Sequence, residues 1–344
     1  MKIALRIASV AIAIVALAFV FAALWSRTPV DVDRSTPDPA VVHANAVSKS
    51  AFTFSEGYFE KDGHSLHYVE AGEGEAILFL HGFPSYWLSF ITQMEELKAD
   101  YRVIAIDGLG AGRSDAPLKT EPYELQAMAE HVLALLDHLA IQNVHLVGHD
   151  WGAGFAFGLA QQNPERVLSV TGVGAPSQIA LVEALSRDPA ARERAAYVER
   201  LKSANPILIV ATGGHKRVWS GAYEPLVNAG HMSPELGKLF RDATGNPRRL
   251  NAHINWYRAN LPKPDEVTEA SYWPSSSARL EMPAQLIWGD ADRVFSPSYA
   301  ALMQESSDDL TELELRGAGH WPHFERSEEV TRAIRAVIER ERAD

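Results

Sequence analysis

Short apolar runs of strand length alternate with longer stretches of helical spacing, and that alternation restricts the fold of this chain more than any other feature. Residues 64–71, 76–80, 103–106, 144–147 and 167–173 are strand-like, whereas 86–98, 125–139 and 151–162 repeat their apolar positions every three or four residues. Strands that alternate with helices pair mostly in parallel, and the crossover helices then cover both faces of the sheet. The pattern breaks over 177–275, which carries helical segments with many charges and several aromatics but no convincing buried strand. It resumes with a strand at 283–288, a helix at 297–304, a strand at 310–315 and an amphipathic helix at 328–340. The expected architecture is α/β: a mostly parallel central sheet flanked by helices, with a helical cap inserted between the sixth and seventh strands. A cap there sits above the carboxyl ends of the strands, where open α/β sheets bind their ligands.

The 344 residues, 47% of them hydrophobic, suffice for one well-buried core and an insertion. Asp and Glu outnumber Lys and Arg by 44 to 32, a net charge of -12 that attracts neither phosphate backbones nor anionic lipid and argues against nucleic acid as a partner. Without cysteine there is no disulfide, no thiolate metal site and no thiol nucleophile. His64 and His67 stand three apart on a strand, a spacing that puts them on opposite faces and argues against a shared metal; no metal and no cofactor is expected.

Ahead of the folded region, Lys2 and Arg6 precede an uncharged run over 7–25. It is longer than the roughly 7–15-residue apolar core of a cleaved signal peptide. The small-residue site Ala44-Asn45-Ala46 lies far downstream. An N-terminal membrane anchor is therefore expected in preference to a signal peptide, with the chain membrane-anchored or exported and its folded part on the periplasmic or extracytoplasmic side. The segments are then 1–27, anchor or signal peptide; 28–50, a Pro-containing linker; 51–176, first part of the core; 177–275, cap; and 276–344, second part of the core.

The chemistry concentrates at sheet-edge turns. Gly148-His149-Asp150-Trp151-Gly152 falls where the strand 144–147 meets the helix 151–162. This is the spacing of a strand-to-helix elbow whose glycines relieve crowding, with an aspartate at the apex where a serine is more familiar. The plain alternative is an Asp that caps the following helix. Against it stand two partners in the right order. Gly289-Asp290-Ala291-Asp292 follows one later strand, and Gly317-Ala318-Gly319-His320-Trp321-Pro322 follows the next. Nucleophile, acid and histidine thus occupy three turns at one sheet edge. Asp292 is preferred as the acid over Asp290, because the first Asp of such a turn tends to bind local backbone. After the strand 76–80, His81-Gly82-Phe83-Pro84 places the amide of Phe83, with that of Trp151, where a developing oxyanion would be held.

Together, His81-Gly82-Phe83-Pro84, Gly148-His149-Asp150-Trp151-Gly152 and Gly319-His320-Trp321 closely resemble the epoxide hydrolases of the α/β-hydrolase superfamily, over about residues 51–344. The cap agrees, since Asn255-Trp256-Tyr257-Arg258 is similar to the segment that carries one of that family's two lid tyrosines. Tyr197 matches the other by position, with Tyr223 as substitute. The resemblance implies the α/β-hydrolase fold, the residues Asp150, Asp292 and His320 in catalysis, Tyr257 and Tyr197 in epoxide activation, and a small apolar epoxide and water as reactants. The related haloalkane dehalogenases share the aspartate but need a second halide donor, and Phe83 has no side-chain N–H to supply one. Fluoroacetate-type dehalogenation would need arginines after the nucleophile, where Trp151 and Gly154 stand. A non-catalytic binding protein of this fold usually lacks a catalytic member, and here all are present.

Overall fold

The computed structural model describes residues 13–342 apart from 18, 19, 22, 23, 25–27, 29, 31, 206–208 and 210–212. Its centre is an eight-stranded sheet: β1 (Ser55–Lys61), β2 (His64–Ala71), β3 (Ala76–Leu80), β4 (Arg102–Ile106), β5 (Val144–His149), β6 (Val167–Val173), β7 (Ala284–Gly289) and β8 (Leu310–Leu315). They lie in the order β1-β2-β4-β3-β5-β6-β7-β8, antiparallel from β1 to β4 and parallel from there on. The strands β3 and β4 are buried on both faces, so period two shows in which core each residue joins rather than in polarity. Leu78, Leu80, Ile104 and Ile106 enter the core on one face, and Ile77, Phe79, Val103 and Ala105 enter the other.

The first face is covered by α3 (Leu125–His138) and α4 (Trp151–Gln162), the second by α2 (Ile91–Leu97) and the last long helix, α15 (Ser327–Glu341). In α15 Val330, Ile334, Val337 and Ile338 are buried at helical spacing, while Glu328, Arg332 and Glu339 stay outside the buried set. Edge strand β1 has only Phe59 fully buried, which is why its sequence carries no apolar run. The 28–50 stretch, expected to be a tether, holds helix α1 (Pro39–Val47). Asp38 caps it through the Ala40 amide and also accepts the Trp87 indole N–H at 2.9 Å, while Ala40, Val41 and Ala44 pack into the second core. Pro39 at the first helical position and an Asp before it are a helix start that its short length and the neighbouring prolines hide.

The expected N-terminal membrane span, and the membrane-anchored or exported location drawn from it, are corrected. Among the described residues no helix is long and apolar enough to cross a membrane. In that stretch positions 13–17, 20, 21 and 24 are described, all helical, and the rest of 1–27 lies outside the described residues.

Between β6 and β7 the chain forms the lid: α5 (Gln178–Arg187), α6 (Pro189–Arg194), α7 (Ala196–Lys202), α8 (Gly214–Ala222), α9 (Glu224–Asn228), α10 (Pro234–Thr244), α11 (Pro247–His253) and α12 (Asn255–Asn260). Helix α13 (Pro297–Glu305) then follows β7 and the short α14 (Pro322–Glu325) follows β8.

Candidate active site

At the end of β5 the chain turns into α4 within one residue. Asp150 makes that turn with φ +53°, an unusual conformation for a residue with a Cβ that costs on the order of 1–3 kcal/mol. Its amide donates to the Val173 carbonyl at 3.0 Å, and its side chain makes no cap hydrogen bond to α4, which removes the capping alternative. The tightness explains the glycines: a Cβ on Gly152 would overlap the Leu80 carbonyl, and one on Gly82 would strike the Asp150 carboxylate. The carboxylate is buried, with Oδ1 accepting the Phe83 amide at 2.8 Å and Oδ2 3.6 Å from His320 Nε2.

His320 is carried by the turn after β8. Its Nδ1 lies 2.9 Å from Asp292 Oδ2, and the other Asp292 oxygen accepts the amides of Val294 and Phe295 at 2.6 and 3.1 Å. Asp290 is exposed and accepts the Gly317 amide at 2.6 Å, the local backbone binding that set it aside in the sequence. His149, next to Asp150, points its Nε2 at the His320 carbonyl oxygen at 2.8 Å and so ties the elbow to the histidine turn. Burial holds His149 well below the ordinary histidine range, so it is neutral and donates from Nε2.

Burial alone raises the pKa of Asp150, but contact with His320, and then the Phe83 amide, outweigh it and leave the carboxyl below its ordinary value. Burial pushes His320 down, yet Asp292 and Asp150 overcome this and raise it to about 10. Free in solution near neutral pH, the pair is thus carboxylate and imidazolium. Asp292 follows the same logic, with burial opposing and His320 lowering its pKa.

Above this group the lid supplies two phenols. The Tyr257 ring stands edge-on between Phe83 and Trp151, at centroid distances of 5.1 and 5.0 Å, and Tyr197 lies 6.2 Å from it. Burial first, and then the Asp150 charge, push the pKa of Tyr197 well up, and Tyr257 shifts the same way under burial, Tyr197 and Asp150. Both remain protonated at working pH. The flanks of Tyr257 explain its placement. Trp256 donates its indole N–H to the Leu109 carbonyl, and Arg258 donates to the carbonyls of Lys202, at the end of α7, which carries Tyr197, and of Ala204 just beyond it. Tyr223 is elsewhere, buried with its hydroxyl on the Pro84 carbonyl at 2.7 Å, and does not face the cavity.

The cavity over Asp150 leaves about 70 Å³ for the centres of water-sized molecules. Its walls include Leu181, Leu185, Val198, Leu261 and Phe295. Gln178 is an exception whose amide is already used, Nε2 on the Ser271 carbonyl and Oε1 under the Trp273 amide. Sequence reasoning missed the wall formed by Val294 and Phe295 of the loop after β7 and by Tyr299 at the start of α13, because nothing in the local pattern marks this segment as facing the lid. His67 has its own carboxylate partners: Asp107 and Glu56, at 2.8 and 3.0 Å, raise it against burial to about 9.

The alpha/beta hydrolase fold family matches residues 75–327. An epoxide hydrolase of Caballeronia sordidicola is 30% identical over 303 residues, covering 79% of this chain and 90% of its own length. The chain belongs to the epoxide hydrolases of the α/β-hydrolase superfamily. Its similarity within that family extends to Epoxide hydrolase 3 of Xenopus tropicalis, 28% identical over 330 residues, with 92% of this chain and 85% of that protein covered. Among solved structures, a family member from metagenomes of hot environments superposes with a TM-score of 0.75 at 25% identity, over 83% of this chain and 99% of the other. The Bacillus megaterium epoxide hydrolase bound to an inhibitor has the same fold, with a TM-score of 0.74 at 23% identity, over 82% of this chain and all of the other.

Proposed function

We propose that this family member hydrolyses epoxides to vicinal diols through an ester formed on Asp150. The observation that carries the reading is a buried, ionised carboxylate under two protonated lid phenols in one apolar cavity. An epoxide carbon needs a nucleophile and its oxygen needs an acid, and each is supplied from opposite sides of that cavity. A carboxylate oxygen of Asp150 attacks carbon, the C–O bond breaks, and the departing oxygen takes a proton from Tyr257 or Tyr197.

Ester formation removes the Asp150 charge. That charge is one of the two that hold His320 protonated, so the imidazolium becomes more acidic and gives up a proton, replacing the one lent by the tyrosine. Neutral His320, oriented by Asp292, next takes a proton from water, and the hydroxide adds to the ester carbonyl. The amides of Phe83 and Trp151 hold the oxyanion, each donor contributing roughly 3 kcal/mol. On collapse the diol oxygen leaves with the proton from His320, and the new Asp150 acid returns a proton to His320, which restores the starting ion pair.

The walls favour a compact, apolar substrate. With Gln178 saturated, the aliphatic and aromatic side chains around Asp150 fit a compact uncharged epoxide and offer no cation to pair with a carboxylate or phosphate tail. Purified protein assayed against aryl, terpene and fatty-acid epoxides beside bromoalkanes tests this. Diol from the compact apolar epoxides is expected, and halide release without diol from any epoxide would overturn it.

A further inference from the structure

Helix α6 is only six residues long, yet both of its ends are tied to the segment that follows β7, namely the loop 291–296 and the first turn of α13. At its start Asp188 accepts the Ala190 amide with one oxygen, while the other accepts the hydroxyl of Ser298 at 2.7 Å and, at 3.5 Å, that of Ser296. At its end Arg194 Nη1 donates to the backbone carbonyl of Asp292 at 2.7 Å, a bond between residues 98 apart in sequence. Residues 291–296 have no regular secondary structure, so their placement depends on such contacts. Within that loop the Asp292 side chain is fixed to the Val294 and Phe295 amides, which makes the carboxylate move with its own backbone. Tyr197 is three residues beyond Arg194, on the next helix, and both sides of the seam line the cavity: Tyr197 and Val198 from the lid, Phe295 from the loop and Tyr299 from the first turn of α13.

We infer that α6 is a clasp between lid and core, and that Arg194 is a positioning residue that sets Asp292 and Tyr197 in register across the cavity. An ordinary exposed ion pair contributes little. This bond differs in its acceptor, the peptide of the residue that orients His320. A guanidinium is always charged and gives a short, directional bond to a carbonyl. Releasing it frees the loop on one side and the α6–α7 corner on the other, and a displacement near 1 Å in such a site costs about 10²-fold in rate. The kinetic consequence rests on the proposed epoxide hydrolysis, but the effect on Asp292 does not.

The test compares wild type, Arg194→Met and Arg194→Lys in two measurements. One is a pH titration of the His320 ring by NMR, without substrate. The ring faces Asp292 and Asp150, with the neutral His149 and His323 beside it. Loss of a nearby cation by itself would raise the His320 pKa, whereas loss of Asp292 alignment lowers it. Arg194→Met is expected to lower it by about one unit and Arg194→Lys, which keeps one donor, to restore it. The other is single-turnover kinetics on a compact epoxide, where Arg194→Met is expected to slow both ester formation and ester hydrolysis about tenfold or more, with KM less affected and Arg194→Lys within about threefold of wild type. An unchanged or raised His320 pKa in Arg194→Met overturns the inference, as does equal impairment of both variants with the same loss of melting temperature. A lowered pKa restored by lysine, in a protein that turns over no epoxide, sustains the clasp and overturns the proposed activity instead.

Discussion

Asp150 occupies a backbone conformation that most side chains avoid, and it does so with its carboxylate aimed at an amide and an imidazolium rather than at its own helix. Strain of this kind persists where surrounding contacts over-determine it. Two predictions belong to single residues. His320→Gln leaves epoxide opening possible but removes the base, so one equivalent of diol-ester per site accumulates and turnover falls by about 10²–10⁴-fold; intact-protein mass detects the adduct, and absence of both burst and adduct would show that His320 does not serve hydrolysis. Tyr257→Phe removes an acid and keeps the ring that packs on Phe83 and Trp151. It is expected to slow ester formation by about 10²-fold while the folded protein keeps its melting temperature; rapid-mixing fluorescence that found only hydrolysis slowed would assign the acid elsewhere. At this scale the sequence was legible where a residue sits on a turn fixed by strand and helix. Asp292 was separable from Asp290 because the first Asp of such a turn tends to serve backbone, and Asp290 accepts the Gly317 amide. Arg194 was not legible, because its acceptor is a carbonyl 98 residues away and any helix surface carries such arginines.

The elements differ in how far their sequences announce them. The parallel strands and their covering helices were readable because burial on one or both faces imposes a period. Strand β1 escaped because it is an edge with one fully buried residue, and α1 escaped because its hydrophobic face is three small or branched residues long. That helix nonetheless closes the second core. Removing its anchor with Trp87→Phe leaves one buried Asp38 oxygen without its donor. Burial already raises the Asp38 pKa, so an unpaired oxygen is costly, and a loss of roughly 1–3 kcal/mol is expected in urea unfolding. An unchanged midpoint would mean that α1 is held by apolar contact alone. In the lid, the Asn255-Trp256-Tyr257-Arg258 segment was recognisable, whereas the reason for it lies in contacts to Leu109, Lys202 and Ala204 that only the folded chain brings together.

Over the whole molecule, buried histidines of two kinds set the response to pH. His67 and His320 have folded pKa values raised to about 9 and about 10, above the ordinary 6.5. Their stabilisation is complete below 6.5 and is lost as pH rises through 9 and 10. Burial depresses His131 to about 4 and His323 to about 3, so the unfolded chain takes up protons first and stability falls as pH drops below 6.5. The melting temperature is therefore expected to peak near neutrality and decline on both sides; a continued rise to pH 9 would show that His67 and His320 are not the ion pairs described. The two-faced core around the sheet brings three distant turns to one edge, and the lid encloses them with its phenols. Whether that arrangement makes an ester on Asp150 is measured by a single turnover of a compact epoxide in heavy-oxygen water, with the Asp150 peptide and the diol analysed by mass. Heavy oxygen in Asp150 and none in the first-turnover diol is the predicted result. Labelled diol from an unlabelled Asp150 would contradict it.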